Sequence, residues 1–265
     1  MEFKGQVALV TGAGRGIGKA IALGFARGGA DVAIFEIDGA AAEATAREVE
    51  SCGVRSFDTR VDVTNYDQVT AAVASAARAL GKIDILVNNA GVANSARFLE
   101  LDKASWDRVI AVHLSGSFHC AQAAAREMVK HGYGRIVSIS SIAGLMAPPD
   151  SAHYAAAKAG IIGLTRSMAM DLAEFGITAN AIAPGPVDTE LLRSVWTHGG
   201  LEERADHIPV RRLGSVDEIA RAVLFLAAPA SSYISGVVLP VDGGSVAAGT
   251  YMVEKYRRRR VEGKS

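Results

Sequence analysis

Thr11-Gly12-Ala13-Gly14-Arg15-Gly16-Ile17-Gly18 follows the short apolar run from Gln6 to Thr11 and opens a helical stretch from Ile17 to Arg27. Strand, glycine-rich turn and helix, in that order, make the first junction of a βαβ unit. Glycines there allow a tight bend and close backbone approach, while the open amides and dipole at the helix start attract a pyrophosphate. By itself the motif is also compatible with a plain strand-to-helix turn. Its place at the first βα junction is what points to a dinucleotide.

Working outward, the same alternation continues. Predicted strands are Gln6 to Thr11, Asp31 to Glu36, Val54 to Asp62, Ile83 to Asn88, Gly134 to Ser140, Thr178 to Ala183 and Val237 to Val241. Their apolar character is continuous rather than alternating, as in strands buried on both faces. Between them lie predicted helices at Ile17 to Arg27, Ala40 to Ser51, Tyr66 to Leu80, Ser105 to Lys130, Ala152 to Phe175 and Val216 to Ala228, rich in alanine. The expectation is an α/β, Rossmann-like doubly wound fold with about seven mostly or wholly parallel strands and helices on both faces. No long linker interrupts the alternation, so residues 1–265 are read as a single domain. The irregular stretch from Glu190 to Leu213 is expected to cover the C-terminal edge of the sheet, where such folds bind ligands. A tail occupies 245–265.

Composition narrows the function classes. Of 265 residues 49% are hydrophobic, and 28 basic residues balance 28 acidic ones. That balance argues against general affinity for nucleic acid or for an anionic membrane surface. Neither a signal sequence nor an apolar run of spanning length is visible, so a cytoplasmic location is expected. Cys52 and Cys120 lie in unrelated segments, which fits a reducing compartment. The histidines are scattered without metal-ligand spacing, so no metal is expected. Lys255 and the run Arg257 to Arg260 read as a solvated tail.

Eighteen residues beyond Gly18, the second strand ends at Glu36. A carboxylate there accepts hydrogen bonds from ribose hydroxyls and repels the 2′-phosphate of NADP, which favours NAD. Arg15 argues the other way, since it can reach a 2′-phosphate. Asp38 is read as solvated. Further along, Tyr154 and Lys158 stand four residues apart at the start of a predicted helix and share one face. Ser141 follows a predicted strand that ends at the same sheet edge.

In this combination the sequence resembles the short-chain dehydrogenase/reductase family, over essentially the whole chain. The resemblance rests on Gly12, Gly16 and Gly18, on Asp62-Val63, on Asn88-Asn89-Ala90-Gly91, on Ser141, Tyr154 and Lys158, and on Pro184-Gly185-Pro186-Val187-Asp188-Thr189. It implies that Asp62 and Val63 meet the adenine and that Asn89, Ala90 and Gly91 line the cofactor cleft. Pro184, Gly185, the Val187 backbone and the Thr189 hydroxyl would contact the nicotinamide, and Lys158 its ribose. Arg15 and Ile17 belong to the phosphate turn. Ser141, Tyr154 and Lys158 occupy the family's catalytic positions, and a homotetramer built on the two long helices is implied.

The chemistry asks for these residue types. Free tyrosine titrates near about pH 10, too high for an efficient base at neutral pH. An ammonium at about 4 Å and an effective dielectric of about 20 interacts by about 4 kcal/mol, enough to lower that pKa by about 3 before desolvation opposes it. Lys158 is therefore expected to activate Tyr154, with Ser141 steadying the substrate oxygen. One position departs from the family pattern: His113 stands where asparagine is usual. It either holds the water that the asparagine holds behind the lysine, or is hydrogen-bonded within the helix layer with no part in catalysis.

The resulting expectation is an NAD-linked oxidoreductase that interconverts a small-molecule secondary alcohol and a ketone, with a polyol or sugar among the compatible substrates. An alternative is an NADPH-linked 3-oxoacyl-thioester reductase, with Arg126, Lys130 and His131 as a basic docking cluster. A catalytically silent dinucleotide-binding scaffold would be favoured by loss of the serine, tyrosine or lysine, and all three are present. Substrate choice is assigned to Asn94 to Phe98, Gly144 to Ser151 and Glu190 to Leu213, with Arg193, Trp196, Thr197 and His198 in the last.

Overall fold

The computed structural model of the chain describes residues 2–195 and 205–248. Seven strands form one parallel sheet: β1 (Val7–Thr11), β2 (Asp31–Glu36), β3 (Ser56–Arg60), β4 (Ile85–Asn88), β5 (Gly134–Ile139), β6 (Ile177–Pro184) and β7 (Val238–Val241), in the order β3-β2-β1-β4-β5-β6-β7. The expected fold class is the one observed. Strand order reverses between β1 and β4, the switch point at which doubly wound sheets open a crevice for a ligand.

The continuous apolar runs have the cause expected of them. Along β1, Ala8 and Val10 pack into one core layer with Ile21, Phe25, Val223 and Leu226, while Val7 and Leu9 pack into the other with Val69, Met128 and Met168. Successive side chains point to opposite faces, so burial on both sides makes every position from Val7 to Val10 apolar. The first layer is covered by α1 (Gly16–Arg27), α2 (Gly39–Glu50) and a later helix at Val216–Ala227. The second is covered by α3 (Tyr66–Leu80), α5 (Gly116–Met128) and α6 (Ala152–Asp171). The edge strands β3 and β7 are only partly buried, and β3 is correspondingly less apolar. Cys52 and Cys120 are free, and burial pushes the Cys120 thiol up to about 12.

Several boundaries differ from the predicted ones. β3 is shorter than Val54 to Asp62. α6 ends at Asp171 and a 3-10 turn carries the chain to Phe175. Asp38, read as a solvated acid, caps α2 by accepting from the amides of Ala40 and Ala41. The largest difference lies in the stretch predicted as one helix from Ser105 to Lys130. It is α4 (Lys103–Ile110), a π turn (Ala111–Ser115), then α5. The Gly116 amide reaches back to the Ala111 carbonyl, and the Ser117 hydroxyl donates to the His113 carbonyl at 2.6 Å. A serine back-bonding within a helix bends it, and π turns of this kind gather at functional positions. His113 is in the widened turn.

Of the segment read as covering the sheet edge, α7 (Glu190–Val195) is helical, and the later helix Val216–Ala227 is α8. Trp196, Thr197, His198, Gly199 and Gly200 lie outside the described residues, as do Lys255 and Arg257 to Arg260. Among the described residues no helix is long and apolar enough to cross a membrane.

A Cβ added at Gly18 would overlap the Gly12 carbonyl oxygen and the Asn89 amide nitrogen, backbone and an engaged side chain that cannot step aside. Gly18→Ala is expected to destabilise the fold by at least about 1–3 kcal/mol. Chemical denaturation of the two proteins measures this.

Candidate active site

Lys158 and Tyr154 project from the first turns of α6, which starts at Ala152 just beyond the C-terminal edge of the sheet. Lys158 is 4% exposed, and its ammonium donates to the Ile139 carbonyl at the end of β5, at 2.7 Å. Ser140 ties the same helix turn to β5 by donating to the Lys158 carbonyl at 2.9 Å. Ser141, the next residue, has an extended backbone, and its hydroxyl accepts from the Ala143 amide at 3.1 Å. The Ser141 hydroxyl is placed so that it favours the charged form of the Tyr154 phenol. The structure therefore brings Ser141, Tyr154 and Lys158 together, with the lysine nitrogen 5.5 Å from the centre of the tyrosine ring.

The electrostatics correct one expectation. Burial pushes Tyr154 up, and the Ser141 hydrogen bond only partly opposes it. Burial also pushes Lys158 down to about 7. Both groups lose solvation of their charged forms, so the lysine is charged only in part at neutral pH and does not bring the tyrosine down on its own.

His113 is 3% exposed and stands edge-on to the Tyr154 ring, the centroids 5.3 Å apart. Its Nε2 lies 2.8 Å from the Val92 carbonyl and 3.2 Å from the Val92 amide. One nitrogen cannot serve both at once, and the shorter contact assigns the proton to Nε2, donating to the carbonyl. Nδ1 is then an acceptor, buried and without a partner in the protein. Burial, the nearby Lys158 charge and His153 hold the ring down to about 3, against the opposing Val92 bond, so it is neutral near pH 7. Gly91 lies under the ring; a Cβ there would sit 2.6 Å from His113 Cε1.

The residues expected to hold a dinucleotide surround the switch point. Gly12 and Gly16 have φ of +63° and +56°, conformations that favour glycine. Arg15 is the N-cap of α1 and its side chain caps nothing, which leaves the first amides of that helix, from Gly16, Ile17 and Gly18, open to an anion. Glu36 is fixed at the end of β2. Its Oε2 accepts from the Gly14 amide at 3.0 Å, and its Oε1 accepts from Ile37 at 2.9 Å and Asp38 at 3.4 Å. Asn89 donates from its side chain to the carbonyls of Thr11 and Gly12, while Thr11 Oγ1 accepts the amides of Asn89 and Ala90. The Asp62 carboxylate accepts from the amide and hydroxyl of Thr64, and Val63 is buried against Gly116. Pro184 ends β6, Gly185 bonds to the Val241 carbonyl, Val187 is bridged to Gly214, and Thr189 caps the turn into α7 by accepting from Leu192. A turn with open amides, a fixed carboxylate one strand away and close-approach glycines fit a dinucleotide.

A family model described as Enoyl-(Acyl carrier protein) reductase matches residues 12–246. The chain belongs to the short-chain dehydrogenase/reductase family. Members of this family resemble it over nearly their whole length. A 3-oxoacyl-[acyl-carrier-protein] reductase of Synechocystis is 40% identical over 243 residues, 91% of this chain and 97% of that protein. The 7alpha-hydroxysteroid dehydrogenase of Escherichia coli K12 is 40% identical over 246 residues, 93% of this chain and 96% of that one. The crystal structure of an NAD+-bound xylitol dehydrogenase superposes with a TM-score of 0.87 at 36% identity, covering 92% of this chain and 100% of that one. As a member of the family the chain is an oxidoreductase, and family membership supports an enzyme acting on CH-OH groups.

In this short-chain dehydrogenase/reductase the loops assigned to substrate choice are joined: the Asp150 carbonyl accepts from the Ala96 amide and the Ser95 hydroxyl, with Asp150 itself at φ +56°. Arg193, in the last of the segments assigned to substrate choice, is held by Asp188 through two bonds of 2.9 and 3.0 Å. Arg126, Lys130 and His131 do not form a free basic cluster either. They meet Tyr66, Glu127 and Asp84. The sequence reading gave Thr11 and His153 no role of their own and passed over Ser140. Thr11 opens the glycine motif, Ser140 precedes Ser141 and His153 stands beside Tyr154, so each carried a positional signal, but burial and bonding partners were not legible.

The pKa of Lys158 falls from 10.5 unfolded to about 7 folded. Between those values the unfolded chain holds a proton that the folded chain has lost, so stability from this site rises with pH across the window. Lys158→Met removes the titration. From pH 7 upward the wild type is expected to gain stability relative to the variant, by on the order of a few kcal/mol at the alkaline end. Urea unfolding of both proteins across this range reads the difference.

Proposed function

We propose that this enzyme is an NAD-dependent dehydrogenase that interconverts a secondary alcohol and a ketone, with Tyr154 as acid and base, Ser141 as the hydrogen-bond donor to the substrate oxygen and Lys158 as the charge that tunes the tyrosine. The convergence of these three groups at the C-terminal edge of the sheet carries the reading. Oxidation of an alcohol requires a base that takes the hydroxyl proton, and reduction of a ketone requires an acid that returns it. Tyr154 holds that proton at its phenol oxygen, Ser141 steadies the developing charge, and the partly protonated Lys158 favours the phenolate when it is charged. NAD, held by the residues named below, would supply the hydride acceptor or donor and, in its oxidised form, a positive charge beside Tyr154.

Gly12, Arg15, Gly16, Ile17 and Gly18 would hold the pyrophosphate, Asp62 and Val63 the adenine, and Asn89, Ala90 and Gly91 the wall of the cleft. Pro184, Gly185, Val187 and Thr189 would hold the nicotinamide, and Tyr154 and Lys158 its ribose. Glu36 supports NAD over NADP, because three backbone amides fix its carboxylate where a 2′-phosphate would meet it. Arg15, the competing cation, is exposed and 3.8 Å from Glu190. His113, through its free Nδ1, would hold the water that asparagine holds in the family. The Synechocystis relative favours a second reading, NADPH-linked reduction of a 3-oxoacyl thioester. Locally paired Arg126, Lys130 and His131 weaken it. A homotetramer, proposed from family resemblance, is supported by the exposed Phe118 on α5 and Met170 on α6.

A panel of alcohols, polyols and hydroxy acids with NAD+ and NADP+ tests the reading: NADH formation with a secondary alcohol is expected, while turnover confined to NADPH and a thioester would replace it. Tyr154→Phe is expected to lower kcat by about 100-fold or more with cofactor binding retained. Glu36→Ser should bring the two cofactors' kcat/KM values together, and a wild-type preference for NADP+ would refute this part. Light scattering gives the mass of the assembly, where a monomer would count against the tetramer.

A further inference from the structure

Between Ser141 and Tyr154 the chain carries five consecutive apolar residues, Leu145-Met146-Ala147-Pro148-Pro149, and all five are exposed. Both ends of this run are pinned. At its start the Leu145 and Met146 amides donate to the Ile142 carbonyl at 2.9 and 2.8 Å. Gly144 lies directly against the Lys158 backbone, where a Cβ would stand 2.8 Å from the carbonyl. At its end the Asp150 carbonyl accepts from the Ala96 amide at 3.0 Å and from the Ser95 hydroxyl at 3.1 Å. The two prolines fix φ within the run. Close by in sequence to the Ala96 bond, Phe98 and Leu99 are exposed as well, and so is Leu191 on α7. Large apolar side chains gathered in the open mark a binding surface. The polar side chains of the same segments are mostly engaged. Ser95 is held by Asp150, Arg97 stands 3.9 Å from Glu100, Ser151 donates to the Pro149 carbonyl at 2.9 Å, and Arg193 is held by Asp188. In the two joined loops only Asn94 and the Asp150 carboxylate have no partner among the described residues.

We propose that the substrate of this site has an extended, uncharged and apolar skeleton, seated on Leu145 and Met146, and that polyols and hydroxy acids are poor substrates. The proposal rests on the dehydrogenase reading above and names its substrate class. With the reacting oxygen at Ser141 and Tyr154, the rest of the substrate lies beside the run that leaves the Ser141 turn. A polyol brings several further hydroxyls, each of which gives up water and weakens binding unless it finds a partner. Asn94 and Asp150 satisfy few of them. A carboxylate on the substrate would meet the Asp150 anion, while Arg97 and Arg193 already face acids of their own. An alkyl chain or ring instead removes water from Leu145 and Met146 and asks for no partner. The pinned, proline-stiffened run loses little freedom when covered. Methionine adapts to chains and rings alike, so Met146 sets the class rather than one compound.

The test measures NADH formation from 2-butanol, 2-hexanol, 2-octanol, a pentitol and 3-hydroxybutyrate by the full chain. In the wild type kcat/KM is expected to rise about two- to fourfold per added methylene, and both polar substrates to fall below 2-octanol. Leu145→Ser/Met146→Ser lowers the ratio of kcat/KM for 2-octanol to that for 2-butanol by about tenfold, whereas Met146→Leu holds it within about twofold. Calorimetry of 2-octanone binding to the NAD-loaded enzyme gives a negative heat-capacity change that shrinks in the double variant. A flat series in the wild type, or a pentitol or hydroxy acid preferred over 2-octanol, overturns the substrate class and leaves the dehydrogenase reading standing. An unchanged ratio in the double variant overturns the seat on Leu145 and Met146. If that variant also has a lower mass by light scattering, the run is a contact between subunits instead. Should the double variant not fold, Met146→Ser alone is read by the same ratio. Absence of turnover with every alcohol in the wild type overturns the dehydrogenase reading and the substrate class together.

Discussion

At the switch point of the sheet, the Asn89 side chain donates to the carbonyls of Thr11 and Gly12 while the Thr11 hydroxyl accepts the amides of Asn89 and Ala90. β1 and β4 pair in parallel only as far as Val10 and Val87, so beyond them nothing in the ladder holds the two strand ends at a set distance. These four bonds do. They fix the start of the glycine turn on one side and the path of Ala90, Gly91 and Val92 on the other. Gly91 and Val92 in turn seat the His113 ring. The dinucleotide turn and the wall behind Tyr154 thus hang from one polar clamp, and such a clamp is tolerable at a buried edge because its polar atoms are paired.

Behind that clamp the site concentrates groups whose charged forms burial disfavours. Lys158 is drawn down to about 7 and His113 to about 3, while Tyr154 is pushed up. A site so arranged keeps its resting charge small, and of these groups Lys158 is the one that changes protonation with little driving force near neutral pH. It also explains why isolated pair arithmetic misleads. An ammonium beside a phenol lowers its pKa only when it is itself charged, and the same burial that brings them close removes part of that charge.

Much of the architecture was legible because its cause is local. Continuous apolar strands alternating with alanine-rich helices leave few alternatives to a doubly wound parallel sheet, and the glycine turn located its switch point. Ser141, Tyr154 and Lys158 were legible through spacing: a strand end, then two positions four apart on a helix. The break at Ala111–Ser115 was not, since it depends on a serine hydroxyl competing for one carbonyl and on Gly116 closing against Val63, a residue 53 positions earlier. Nor was the neutralisation of Arg193 or Lys130, because partners for a surface cation are set by whichever acid the fold leaves alongside.

The sequence by itself determined the fold class, the family and the residues proposed as reacting groups, because periodicity, glycine placement and residue type are properties of neighbours along the chain. Only the tertiary structure decided which of those groups share a desolvated space. His153 illustrates the division: its place beside a tyrosine says nothing of its burial, which leaves both nitrogens unpaired on a helix that packs against α4 and the π turn. Burial is a property of the packed chain, and burial sets the protonation of Lys158, Tyr154 and His113.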